Sequence, residues 1–214
     1  MEFRFEDILK NIIPGSIVFT GVLLIILNQI TFDCMIEIIK SDLKDYSEVL
    51  LFIILTASYL FGYLNDSISS TLEHILYKLI KKPSYYLLTN SCTCTMSRLK
   101  IADLDAVLEK IKEKFKIEIN NSEENSNQAF KLINQYKKDN DSLKEYYFSY
   151  IFSRNIFFAS IFLSIAIITS NHLKLEWFYY YPITLCILTI LYFRRIEKSF
   201  HYSRKVIVGI LQTE

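Results

Sequence analysis

Four long stretches without a charged residue interrupt this sequence, and they limit the possible folds more than any other feature does. A helix that crosses a bilayer needs roughly 20 mostly apolar residues, with about 17 as the lower limit. The stretches cover 12–30, 49–65, 156–173 and 177–193, with 19, 17, 18 and 17 residues. Four such helices would overfill the core of a soluble chain of 214 residues. We therefore predict an all-α integral membrane protein with four transmembrane helices.

The first stretch lies near the N-terminus and follows Arg4 and Lys10, as the apolar part of a signal peptide would. The apolar part of a signal peptide has about 7 to 15 residues, so the first stretch is longer than expected for one. No cleavage pattern of small residues follows Ile30. We interpret it as a retained transmembrane helix.

The distribution of Lys and Arg predicts the orientation of these helices, because both residue types collect on the cytoplasmic side. They are frequent after 193, where Arg194 and Arg195 begin the tail, and also after the second and before the third stretch. The connection 31–48 instead holds five acidic residues and two Lys. Both termini are predicted to be cytoplasmic.

These assignments divide the chain into four parts. Residues 1–65 hold transmembrane helices 1 and 2 with a short outer hairpin, and 155–193 hold helices 3 and 4. Between them, 66–154 are predicted to form a cytoplasmic helical domain, and 194–214 a cytoplasmic C-terminal helix.

Apolar residues recur at helical spacing within the predicted cytoplasmic domain. One helix is expected over 101–117, another over 128–138, and a flexible loop over 120–127, which holds no apolar residue. A further helix continues the second transmembrane stretch towards Pro83. Its apolar stripe is expected to pack in the domain, with Glu73 facing away; the stripe consists of Ile68, Leu72, Ile75 and Leu79.

Arg195 and His201 are separated by five residues. This spacing resembles the active-site motif of HEPN-type ribonucleases, which implies an Arg that contacts phosphate and a His that transfers a proton at the ribose 2'-hydroxyl. A guanidinium binds phosphate bidentately, and an imidazole titrates near neutrality. The alternative interpretation is an Arg that anchors the helix at the membrane and a His at the surface.

Other chemistry is not indicated. Cys92 and Cys94 are close in sequence, but the remaining thiols, Cys34 and Cys186, are predicted to lie outside and within the membrane, so no metal site is expected. The sequence contains no P-loop, G-x-S-x-G, H-E-x-x-H or G-x-G-x-x-G motif. We predict no cofactor and no enzymatic activity. The net charge of +1 gives no reason to expect nucleic acid as a partner.

Small and polar residues in the helices indicate where helices could meet. Four of them are spaced in pairs four residues apart, and two more open the third stretch; they are Ser16, Thr20, Ser160, Ser164, Arg154 and Asn155. We predict that they pack helices within the chain or between copies in a homo-oligomer. Asn65 and Asp66 lie at the inner end of the second stretch, and we expect them and Arg154–Asn155 to pair across helices or between copies. The uncharged stretches lack the buried ionisable groups of pumps and coupled transporters.

The layout resembles small multi-spanning membrane proteins of bacterial antiphage systems, namely the Kiwa membrane subunit and the accessory membrane proteins of type VI-B CRISPR loci. The resemblance rests on chain size, Pro14-Gly15 at the first helix, and the motifs FGYLND, FSRN and FRRIEKSFHYSR. It implies a bacterial inner-membrane protein in contact with lipid and a soluble cytoplasmic protein partner.

We therefore expect an oligomeric effector or sensor in antiviral defence that permeabilises or depolarises the membrane on a cytoplasmic signal. One alternative is a membrane anchor that recruits a soluble defence partner. A second alternative is a membrane-tethered HEPN-like ribonuclease that uses Arg195 and His201.

Overall fold

The computed structural model describes residues 5–27, 47–91, 100–119, 122–136, 141–170 and 177–212. These ranges are mainly helical and contain no strand, so the predicted all-α class is confirmed for the described part of the chain. A 3₁₀ turn, Gly209–Gln212, follows the last α-helix. The α-helices are α1 Phe5–Leu27, α2 Ser47–Leu79, α3 Pro83–Leu88, α4 Leu104–Phe115, α5 Glu123–Tyr136, α6 Asp141–Ser170 and α7 Trp177–Val208.

Within the described ranges, three helices are long and apolar enough to cross a membrane: α1 over Ile8–Ile26, α2 over Glu48–Leu79 and α6 over Leu143–Thr169. The fourth uncharged stretch forms the first half of α7, which begins with Trp177, three Tyr and Pro182. These residues are less apolar than Leu or Ile, so α7 does not reach the same hydropathy. The structure is thus that of a membrane protein with three candidate spans, and the fourth span stays a prediction.

The described residues fall into two compact units. Unit 1 combines Met1–Thr71 with Ile151–Phe193, and unit 2 combines Leu72–Tyr150 with Arg194–Glu214. Helices α2, α6 and α7 therefore each contribute residues to both units. The assignment of the two units to membrane and cytoplasm stays a prediction.

In unit 1, α1 and α2 approach each other so closely that only glycine fits at the contact. A Cβ atom on Gly15 would lie 1.8 Å from the backbone oxygen of Ser58, and one on Gly62 would lie 1.9 Å from the backbone oxygen of Asn11. Small residues allow such contacts, which gain dispersion energy where lipid provides no hydrophobic driving force between helices.

The outer surface of unit 1 is strongly apolar. Helix α6 packs inward through Phe157, whose ring centroid lies 5.8 Å from that of Tyr192 on α7. Large aliphatic and aromatic side chains face outward from α2 and α7, among them Leu51, Phe52, Ile53, Leu60, Leu64, Ile183, Leu185 and Ile190. Water-soluble monomers rarely expose a contiguous apolar surface of this kind, whereas lipid contact requires one.

Unit 2 has a core like that of a soluble helical domain. On α4, Val107 and Ile111 are fully buried, while the charged residues Glu109, Lys112 and Lys114 do not enter the core. Asp103 caps the N-terminus of α4, because its carboxylate accepts a hydrogen bond from the backbone N–H of Ala106. The core is made of Leu87, Leu88, Ile101, Val107, Ile111, Ala129, Ile133, Leu143, Phe200, Tyr202, Val206, Ile207 and Ile210.

Tyr202 joins α5 and α6 to α7 within this core. Its hydroxyl donates a hydrogen bond of 2.8 Å to Oδ1 of Asn134, and its ring stacks on that of Tyr150 with a centroid distance of 5.8 Å. Burial and the neighbouring Tyr147 raise the pKa of Tyr202 to about 12, although the Asn134 hydrogen bond opposes this shift. Tyr202 therefore stays neutral throughout the physiological pH range.

One sequence prediction for unit 2 is wrong. The segment 120–127 was expected to be a loop, but α5 already begins at Glu123, and only the part before Ser122 lies outside the described residues. Acidic residues in a first helical turn interact favourably with the helix dipole. The polar residues are also used in packing, since Ser126 is buried and Asn127 accepts a hydrogen bond from Ser84.

Candidate functional site

Helix α2 buries its polar edge and exposes its apolar edge. The polar residues recur every four positions, which places them on one side of the helix. Asn65, Ser69 and Glu73 are buried, and Tyr77 follows them as a half-buried residue. The apolar residues Ile68, Leu72, Ile75 and Leu79 are all exposed.

The sequence analysis therefore assigned the wrong sides of this part of α2: Glu73 is buried, and the apolar stripe is exposed. It assumed water around the helix, so that the apolar stripe would pack and Glu73 would face away. In a membrane protein the surrounding solvent is apolar, and polar side chains gain most by facing neighbouring helices. The observed direction is the one expected in lipid.

The first polar cluster lies in unit 1 and joins α2 to α6. Nη2 of Arg154 lies 2.5 Å from Oδ1 of Asp66, and the Asn155 side-chain amide donates to the same oxygen over 2.9 Å. The amide of Asn65 donates over 3.0 Å to the backbone carbonyl of Asn155. We call Asn65, Asp66, Ser69, Arg154 and Asn155 the Asp66 cluster.

Burial differs between the two charges of this cluster. The Arg154 side chain is 8% exposed and that of Asp66 is 36% exposed. Asn155 is fully buried and accepts a hydrogen bond of 3.2 Å from Nε of Arg154. The Arg154 guanidinium is therefore bound by Asp66 on α2 and by Asn155 on α6, while the Asp66 side chain stays partly exposed to solvent.

The second polar cluster lies in unit 2 and joins α2, α6 and α7. Arg195 on α7 donates from Nε and Nη2 to Oε1 of Glu73 over 3.1 and 2.6 Å. Tyr150 on α6 donates its hydroxyl to Oε2 of the same carboxylate. The Glu73 carboxylate on α2 thus binds side chains of both α6 and α7. We call Glu73, Tyr77, Tyr150, Arg195 and Ser199 the Glu73 cluster.

Tyr77 extends the Glu73 cluster along α2. Its hydroxyl lies 2.9 Å from the hydroxyl of Ser199 on α7. The guanidinium of Arg195 lies 5.9 Å from the centroid of the Tyr77 ring, within the range of a cation–π interaction. Arg195 is therefore enclosed by a carboxylate and an aromatic face.

Both charges of the Glu73–Arg195 pair are buried, with 5% of each side chain exposed. Removing two charges from water costs several kcal/mol per ion, which their mutual attraction repays only with good geometry. Such a pair adds little to stability overall, but breaking it by removing one partner is strongly destabilising. It is suited to holding one specific arrangement of helices.

Arg195 and His201, the two candidate ribonuclease residues, lie in different surroundings. The guanidinium of Arg195 binds Glu73, as described above. His201 is more exposed, and its Nε2 lies 3.7 Å from Oε1 of Glu197, one turn earlier on α7. A phosphate at Arg195 would have to displace a buried carboxylate, which gives Arg195 a clear structural role.

The small residues predicted to pack helices bond mainly along their own helices. Ser16 donates to the carbonyl of Ile13, Thr20 to that of Ser16, and Ser164 to that of Ser160, at 2.8, 2.8 and 2.7 Å. The close contact between α1 and α2 instead uses Gly15 and Gly62. The predicted role of these hydroxyl residues between copies stays a prediction.

Two further sequence predictions concern cysteines. Cys92 and Cys94 lie outside the described residues, as does Cys34. Cys186 is an exposed free cysteine on α7.

Sequence reasoning identified Arg154, Asn155 and Arg195 as residues of interest, and it expected Asn65–Asp66 and Arg154–Asn155 to pair across helices or between copies. The structure pairs Asp66 with Arg154 and Asn155. Sequence reasoning missed Glu73 as the partner of Arg195. The available signal was the four-residue spacing of polar residues on α2. Comparison of the chain with protein-family models, curated proteins and solved structures finds no match.

Proposed function

We propose that the protein is an oligomeric inner-membrane effector or sensor of antiviral defence, which permeabilises or depolarises the membrane when a cytoplasmic signal or protein partner acts on unit 2. The observation that carries this proposal is the Glu73 carboxylate, which binds Tyr150 of α6 and Arg195 of α7 at once. It makes α2, α6 and α7 a connected set in unit 2.

The same three helices are the route by which a signal would reach the membrane. Each of them contributes residues to unit 1 as well as to unit 2. Two of them, α2 and α6, are candidate spans. A change in their packing in unit 2 would therefore act on helices that also build the apolar unit.

A buried ion pair is a suitable resting-state contact for such a protein. Its net contribution to stability is small, so a partner that binds the separated arrangement needs only a modest difference in affinity to shift the equilibrium. The proposal includes four transmembrane helices, with α7 as the fourth, and cytoplasmic termini. The exposed apolar residues in the first half of α7 support its place in the bilayer.

The test is the mass of the nanodisc-extracted protein by light scattering, measured beside ion flux in liposomes. We expect a defined oligomer with a measurable ion leak. A variant with both Ser160→Leu and Ser164→Leu tests the predicted contact between copies, and it should reduce the mass. An unchanged mass would place the contact elsewhere.

A monomer or dimer without leak would contradict the proposal. That outcome would instead favour the membrane anchor, whose mark is a stable soluble partner and an unchanged membrane potential.

A further inference from the structure

The C-terminal half of α2 has an exposed apolar stripe beyond the uncharged stretch. Its members in unit 2 are Leu72, Ile75 and Leu79, and Ile80 directly follows them. Leu79 is 81% exposed, which is more than any large hydrophobic residue of the uncharged stretch of α2, where Phe52 reaches 71%. A soluble helical domain would bury such residues, as unit 2 does on α4.

This stripe continues the exposed apolar surface of the uncharged stretch. The same helix exposes Leu60 and Leu64 within the uncharged stretch, and α2 runs without a break from that stretch to Leu79. The buried polar edge also continues without a change, up to Glu73 and Tyr77. The buried and the exposed side of α2 therefore each continue beyond Asn65.

The length of α2 fits this extension. Its 33 residues make a helix of about 50 Å. A bilayer with its headgroups is about 40 to 45 Å thick, and transmembrane helices tilt by about 20° on average, with a range of about 0 to 40°. A helix with a moderate tilt thus reaches from one headgroup layer to the other over its whole length.

The two carboxylates of this half of α2 are both paired with an arginine. Asp66 is paired with Arg154 and is partly exposed, while Glu73 is paired with Arg195 and buried. The exposed hydroxyl of Thr71 bonds back to the Ser67 carbonyl of its own helix over 3.1 Å.

Cations gather where the helix ends. Lys78 is exposed at its last turn, and Lys81 and Lys82 follow after Ile80. Lys81 lies 4.0 Å above the ring of Tyr85, and Glu123 is its nearby acidic neighbour. Lys side chains extend along apolar surface to the headgroups, and each contributes about 1 kcal/mol near anionic lipid.

We infer that the end of α2 is a lipid-binding surface of unit 2, in which Leu72, Ile75 and Leu79 enter the acyl boundary of an anionic leaflet, and Lys78 and Lys82 bind its headgroups. The membrane boundary at this end of α2 then lies near Leu79 rather than at Asn65. This inference holds whether or not the protein conducts ions, so it can fail independently of the proposed function.

The experiment uses the full-length protein with its four cysteines replaced by serine. Single cysteines at Ile75→Cys and Leu79→Cys, with Glu109→Cys on α4 as control, carry an environment-sensitive fluorophore. The labelled proteins are reconstituted in vesicles of phosphatidylcholine and phosphatidylglycerol. Brominated acyl chains quench from the lipid, and iodide quenches from water.

We expect the labels at 75 and 79 to lose most of their fluorescence to brominated lipid and little to iodide, with the reverse at Glu109. The loss should be larger when phosphatidylglycerol carries the bromine, and the combined Lys78→Gln and Lys82→Gln variant should abolish this preference. Iodide quenching at 79 equal to that at Glu109 would overturn the inference. Protection from both quenchers, with energy transfer between copies, would overturn it in favour of a second copy of the chain.

Discussion

Replacing Arg195 by methionine is expected to lower the stability of unit 2 by about 3 to 5 kcal/mol, because the buried Glu73 carboxylate then has no countercharge. Both side chains are 5% exposed, so water cannot replace the lost partner without opening the unit. Thermal unfolding in detergent, followed by circular dichroism, measures the loss. The adjacent Arg194→Met is the matched control.

Arg194 is 57% exposed and pairs with Glu197 at the surface, so its replacement should cost less than about 1 kcal/mol. The combined Glu73→Leu and Arg195→Met variant should recover most of the stability, since buried pairs replaced by apolar residues are often neutral or better. Equal unfolding temperatures for Arg195→Met and the wild type would contradict the assignment of this pair.

The combined variant also tests the ribonuclease alternative. It removes Arg195 while keeping a folded unit 2, so lost catalysis can be separated from lost structure. Ribonuclease activity in the wild type that disappears in this variant would revive that alternative.

Replacing Gly62 by alanine is expected to separate α1 from α2. The new Cβ would lie 1.9 Å from the backbone oxygen of Asn11 and 2.5 Å from its carbonyl carbon. Backbone atoms cannot rotate away as a side chain can, so the cost should reach or exceed the upper end of the about 1 to 3 kcal/mol typical of overpacking. Thermal unfolding and limited proteolysis of the detergent-extracted protein measure it.

Gly21→Ala is the matched control, because it also adds one methyl group to a glycine within a helix, here on α1. The nearest atom there belongs to the Phe162 ring, at 2.9 Å, and a side chain can shift. We expect a clearly smaller loss of stability for Gly21→Ala. Similar unfolding temperatures for the two variants would contradict the close approach of α1 and α2.

Hydropathy predicted the helical class and the membrane character correctly, because charge-free stretches of this length are typical of transmembrane helices. It also predicted that a helix continues beyond Asn65 and ends before Pro83. The direction of that helix could not be predicted from amphipathicity alone. The same pattern faces opposite ways in water and in lipid, and the sequence does not state which solvent surrounds residues 66–79.

The candidate site was predicted only in part, because its residues are distant in sequence. Arg154 and Asp66 are 88 positions apart, and Arg195 and Glu73 are 122 apart. A motif search instead paired Arg195 with its near neighbour His201. The four-residue spacing from Asn65 to Tyr77 was visible, but it indicated a buried polar edge only when α2 was considered as a membrane helix throughout.

The central claim is that the Glu73 cluster holds the resting arrangement of α2, α6 and α7. Tyr150→Phe tests it with little risk to the fold, because it removes one hydrogen bond to Glu73 and leaves the Arg195 pair in place. Tyr147→Phe, one turn earlier on α6, is the matched control. The measurement is the ion leak of each protein in liposomes at equal protein content.

Loss of one hydrogen bond to a charged group costs about 1.5 to 3 kcal/mol, which corresponds to a shift of an equilibrium by about tenfold or more. We expect Tyr150→Phe to remain folded and to leak about tenfold faster than the wild type or more, while Tyr147→Phe leaks at the wild-type rate. A folded Tyr150→Phe variant with the wild-type leak would contradict the claim that the Glu73 cluster controls the ion permeability of the membrane.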